Sequence, residues 1–114
     1  MLHVATAVVL AVIETIERDG LLGVARVRGA ELVAGLERIA ARASLLGAVR
    51  GRGLMCAFDV TVGGAPALQA ALLERGYLVG ANVARDVIRV YPPLVVTAAE
   101  IAGFLAALDD CVRA

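Results

Sequence analysis

Lysine is absent from the 114 residues: all eleven basic side chains are arginine. Arginine stays protonated and cannot serve as a Schiff-base amine, so side-chain amine chemistry is excluded for this chain. Tryptophan is absent too, and aromatics make up 4% of the residues. Eleven acidic residues balance the eleven basic ones, and no basic run stands out. Nucleic-acid binding needs a positive footprint and often stacking platforms, and neither is visible. The one histidine, His3, lies near the start; alone it makes no metal site, and it leaves no base for a Ser–His–Asp set. Two cysteines, Cys56 and Cys111, lack metal-ligand spacing and read as packing residues of a reduced, cytoplasmic protein. The apolar run over 4–13 is short of the roughly 20 residues a spanning helix needs, and no basic region precedes it as in a signal peptide. No membrane span is expected.

What the chain has in excess is apolar surface. Hydrophobic residues account for 61%, against roughly 45–50% in a typical soluble domain. The length suits a single domain over 1–114, with limited volume in which to hide that surface, so a missing partner surface is expected. Residues 2–18 read as a helix that is apolar on nearly every side until Glu14, Glu17 and Arg18, as in a helix buried on more than one face. After Asp19-Gly20, apolar positions Leu22, Ala25, Gly29, Leu32, Leu36 and Ile39 recur at helical spacing within a second helix over 21–43. Leu54 to Val60 reads as a strand with both sides apolar until Asp59, hence covered on both faces. Residues 66–75 form a short helix closed by Gly76. Tyr77–Val79 and Val87–Tyr91 read as strands around a turn over 81–86, and Pro92-Pro93 ends the second. Thr97-Ala98-Ala99-Glu100 is a capping-box pattern opening a last amphipathic helix. The order implies an α/β or α+β layer, a small mostly antiparallel or mixed sheet packed with helices.

Three features invite chemistry. Arg50-Gly51-Arg52-Gly53 could cradle a phosphate through backbone N–H groups, but it leads into a strand and not a helix, so a tight turn is the better reading. Asp109-Asp110 reads as a solvated helix face, and no carboxylate pair is placed for acid–base work. Arg89 falls on the strand face opposite Ile88 and Val90. A guanidinium there needs a partner: a carboxylate ligand gripped by two parallel hydrogen bonds, or a structural ion pair with Asp59 or Glu100. Spacing alone favours the ion pair.

Three stretches together resemble one family. Residues 11–21 (AVIETIERDGL) are similar to the helix leaving the large domain of class III, ornithine-aminotransferase-like, aminotransferases. Val49-Arg50-Gly51-Arg52-Gly53-Leu54-Met55 resembles the G-x-G-L-M strand entry of their C-terminal small domain. Ile88-Arg89-Val90-Tyr91-Pro92-Pro93-Leu94, followed by Thr97 and Glu100-Ile101, resembles their R-x-x-P-P-L segment. Order and spacing agree over nearly the whole chain, and residues 50–59 are most similar to lysine 6-aminotransferases. The resemblance implies the C-terminal part of a fold-type I enzyme that moves an amino group from a lysine- or ornithine-like amino acid to 2-oxoglutarate, with residues 1–20 as the end of a domain-crossing helix. It makes Arg89 the substrate-binding residue, gripping a carboxylate of the donor or of 2-oxoglutarate. It also implies pyridoxal 5'-phosphate in the parent family, none bound covalently to this lysine-free chain, and so inactivity alone. The expected partner is a lysine-bearing large domain or, as the alternative, a second copy of a non-catalytic binding or dimerisation module.

Overall fold

The computed structural model describes residues 2–113. Along the chain run α1 (Leu2–Arg18), α2 (Leu21–Arg42), β1 (Leu46–Arg52), β2 (Met55–Val60), α3 (Ala65–Glu74), β3 (Gly80–Asn82), β4 (Val87–Val90) and α4 (Ala98–Arg113). The four strands form one antiparallel sheet in the order β1-β2-β4-β3. One sheet face and the buried stripes of α2, α3 and α4 share a core around Phe58, Leu32, Leu36, Leu72, Ile88 and Leu108.

Turn chemistry explains most boundaries. Gly20, at φ 61°, ends α1 and begins α2 in one left-handed residue, a conformation costly for any side chain. Gly53, at φ 56°, is the first of two residues joining Arg52 to its ladder partner Met55, the glycine position of a tight two-residue hairpin. The tight-turn reading therefore holds at Gly53, while Arg50, Gly51 and Arg52 belong to the strand before it. Gly76, at φ 87°, closes α3, and its N–H and that of Tyr77 donate to the Leu73 and Leu72 carbonyls. At α4 the capping box is complete. The Glu100 N–H donates to Thr97 Oγ1 at 3.1 Å, and the Thr97 N–H donates to Glu100 Oε1 at 2.9 Å. Donation from the Thr97 N–H and from its hydroxyl to Oε1 holds the Glu100 carboxyl below the usual carboxylate range.

Four expectations need correction. Strand β2 is covered on one face only: Cys56, Phe58 and Val60 are buried, whereas Met55 on the other side is 68% exposed. All the core-forming helices lie on the Phe58 side. The strand expected over Tyr77–Val79 begins at Gly80 instead. Tyr77 is drawn out of the sheet by an edge-to-face contact with Phe104, with ring centroids 5.5 Å apart, and the Val79 carbonyl accepts from Gln69 Nε2 and not from a strand. Leu22 is exposed, and the buried stripe of α2 runs through Gly29, Leu32, Gly35, Leu36 and Ile39. Asp109 is not a solvated side chain: Arg42 and Arg113 both donate to it, at 2.6 and 2.9 Å, tying α4 to the end of α2.

The N-terminal helix stands apart from this core. Val4, Val8, Val9, Leu10, Val12 and Ile13 are each between 48% and 67% exposed. Its neighbours are the start of α2 and the Leu94-Val95 segment, which share a shallow apolar groove with Val8, Ala11, Val12 and Ile16. The radius of gyration, 16.0 Å, exceeds the roughly 13 Å of a compact domain this size, and the projecting helix accounts for it. Among the described residues no helix is long and apolar enough to cross a membrane.

Candidate functional site

The face of the sheet turned away from the core is where charge collects. Antiparallel register sets Arg50 opposite Ala57, Ala57 opposite Arg89, and Arg89 opposite Gly80. Directly opposed residues point to the same face, so this row crosses all four strands on the open side. Arg52 and Met55 form a second row toward the β1–β2 turn, and Asp59, Val87 and Asn82 a third.

Within this surface the two row arginines differ. Arg50 Nη1 donates to Asp59 Oδ1 at 3.0 Å, with both side chains about half exposed. Such a pair is worth at most about 1 kcal/mol, but it occupies both charges. Arg89 makes no ion pair or side-chain hydrogen bond among the described residues. Asp59 is engaged by Arg50, and Glu100 by Thr97. The two structural partners considered for Arg89 are therefore both taken. Its guanidinium lies on the exposed side of a central strand, flanked by the two smallest side chains in its row.

Other candidates fall away. Cys56 is 1% exposed, and burial pushes its thiol above the usual value, which disfavours the nucleophilic thiolate. Both cysteines are free: Cys56 packs in the core and the half-buried Cys111 packs against it, as expected. Among the described residues no group of three His, Cys, Asp or Glu side chains could hold a metal ion. With no lysine in the sequence, no side-chain amine is available to a cofactor aldehyde. These residues do not fit covalent attachment of pyridoxal phosphate.

A match to known families decides what this sheet belongs to. The class III aminotransferase family matches residues 3–112. The chain belongs to that family. Acetylornithine aminotransferase from Mycobacterium tuberculosis is 41% identical over 105 residues, covering 92% of this chain but 26% of the relative. A solved lysine aminotransferase from M. tuberculosis superposes with a TM-score of 0.83 at 35% identity, over 90% of this chain and 24% of that one. The acetylornithine aminotransferase of Elizabethkingia anophelis shares the fold, with a TM-score of 0.86 at 24% identity, over 91% of this chain and 28% of that one. The chain thus spans about a quarter of the length of the aminotransferases it matches, a family that depends on pyridoxal phosphate. Its sheet and helices are aminotransferase architecture.

Sequence reasoning singled out Arg89 as the candidate but missed its surroundings. Ala57 and Gly80 carry no chemistry, and only the register of three strands brings them beside the guanidinium. Misplacing β3 by three residues put Gly80 just outside a strand, and so out of the row.

Proposed function

We propose that this chain is the substrate-carboxylate segment of a class III aminotransferase, and that Arg89 grips a carboxylate of the amino donor or of 2-oxoglutarate. The single observation carrying this is an exposed guanidinium without a partner, at the arginine of the R-x-x-P-P-L segment. A planar fork accepts a carboxylate through two parallel charged hydrogen bonds. Such bonds contribute about 1.5–3 kcal/mol net each, enough to fix the orientation of a small dicarboxylate. The donor is a lysine- or ornithine-like amino acid, in keeping with the relatives. The chain's part in the reaction is to hold the substrate's charged end so that its reacting end is aimed at a cofactor. Pyridoxal phosphate would supply the carbanion chemistry of the family, and the lysine that would hold it is not among these 114 residues. Helix α1 (Leu2–Arg18) would belong to a helix passing between the two parts. Two free cysteines suit a reducing, cytoplasmic setting.

The test is titration of the chain with 2-oxoglutarate, followed by the arginine side-chain resonances. Arg89→Ala is expected to weaken binding about tenfold or more, and Arg89→Lys to recover only part of it. Unchanged affinity in Arg89→Ala would sink the assignment. A second reading, a dimerisation module without catalysis, is favoured by the exposure of α1. Sedimentation across a concentration series separates the two: a concentration-dependent dimer without 2-oxoglutarate binding supports the module.

A further inference from the structure

Gly80 has no backbone reason to be glycine. Its φ lies outside the left-handed region, and it sits in strand β3, three residues before the turn that leads to β4. Glycine inside a strand is a weakening choice. What distinguishes the position is its occupant. A Cβ built on Gly80 would lie 2.9 Å from Arg89 Nη2, 3.0 Å from Nε and 3.2 Å from Cζ. All three nearest atoms belong to one guanidinium. By contrast, the space beside Gly29 is filled by the backbone of Gly53. The missing side chain of residue 80 is thus the space into which the Arg89 head folds, over the edge strand and away from the Arg50–Asp59 pair.

We infer that Gly80 is a positioning residue: by leaving this seat open it sets where the Arg89 fork is presented to a carboxylate. This rests on the reading of Arg89 as a carboxylate binder. The obstruction raised by a methyl group at 80 is the far end of a flexible side chain, so the sheet tolerates it and the guanidinium moves instead. Since glycine also costs strand stability relative to alanine, Gly80→Ala separates the two roles. Its thermal midpoint stays level or rises while its carboxylate affinity falls.

The experiment uses the full 114-residue chain labelled at arginine nitrogen, with 2-oxoglutarate as the probe. The wild-type protein is expected to show a nuclear Overhauser contact between Arg89 Hε and the Gly80 Hα protons. In Gly80→Ala the Arg89 Nε–H resonance moves and affinity drops about tenfold, the low end for one charged hydrogen bond. Absence of that contact in the wild type overturns the seat. Wild-type affinity in Gly80→Ala, or a loss of affinity matched by a fall in thermal midpoint, overturns the positioning role. Arg89→Ala serves as the control for the underlying reading. If it binds 2-oxoglutarate as the wild type does, carboxylate binding by Arg89 has failed; if it loses binding while Gly80→Ala keeps it, only the inference about Gly80 has failed.

Discussion

The same glycine-to-alanine change, made at two places on α2, should move stability in opposite directions. At Gly29 a Cβ would lie 2.0 Å from the Gly53 carbonyl oxygen, 2.5 Å from its carbon and 2.9 Å from its Cα. An ordinary contact needs about 3.4 Å or more, so α2 and the β1–β2 turn would have to separate by more than an ångström. The obstacle is backbone and cannot rotate away. Leu32, Leu54 and Cys56, all in the core around this approach, would lose packing as the turn lifted. Overpacking a well-filled interior costs about 1–3 kcal/mol, and a backbone clash belongs at the upper end. Helix propensity returns up to about 1 kcal/mol, leaving a net loss of about 2 kcal/mol. For a chain of this size that lowers the thermal midpoint by roughly 8 °C. At Gly23, on the same helix, a Cβ meets nothing within 4 Å, so Gly23→Ala should gain a few tenths of a kcal/mol from propensity alone. Paired thermal and urea melts of the two variants check this. A Gly29→Ala variant as stable as the parent, or a shift of the same sign in both, would refute the close approach of α2 to the hairpin.

Three further outcomes are expected. Thr97→Ala removes one cap of α4 and should cost about 1 kcal/mol, read by urea melts. Because Thr97 depresses the Glu100 carboxyl, its share of stability is present above the unfolded carboxylate value and is lost as pH falls through the folded value below it; amide exchange at the start of α4 should quicken over that acidic range, and not in Thr97→Ala. Asp109→Asn breaks both the Arg42 and Arg113 contacts of a carboxylate only 20% exposed and should cost about 1 kcal/mol, more than Asp110→Asn, which touches neither arginine. Val9→Glu with Ile13→Glu on α1 should abolish any concentration-dependent association in sedimentation while leaving the melt nearly unchanged, since both residues are largely exposed.

Local signals carried most of the elements. Gly20, Gly53 and Gly76 sit at positive φ, and Thr97 with Glu100 forms a complete capping box; each is a feature of a few consecutive residues. The losses came where a distant residue decides. Tyr77-Leu78-Val79 has the composition of a strand, yet the ring of Phe104 and the amide of Gln69 claim it, while the strand itself uses Gly80 and Asn82, poor strand formers. Alternation in β2 gave the correct two faces but not which of them would be covered. Asp109 looked solvated because Arg42 lies 67 residues away in sequence. The same limit applies to the candidate site: the segment pointed to Arg89, but not to the Arg50–Asp59 and Thr97–Glu100 contacts that engage both carboxylates considered as its partners.

The excess of apolar residues has a location, and it bears on Arg89. Helices α2, α3 and α4 use the core face of the sheet, while α1 and the adjoining Leu94 and Val95, 36% and 69% exposed, keep theirs open. Leu94 is five residues from Arg89 along the chain. At the reach of an extended backbone the two Cα atoms are at most about 18 Å apart. A polypeptide that covers the groove between α1 and Leu94 therefore arrives within a domain's width of the free guanidinium. A partner wide enough to span that distance would cover α1 and dry the surface around Arg89 together. Loss of water around the fork strengthens its hold on a carboxylate, so the chain alone should bind 2-oxoglutarate more weakly than the same residues do once α1 is buried.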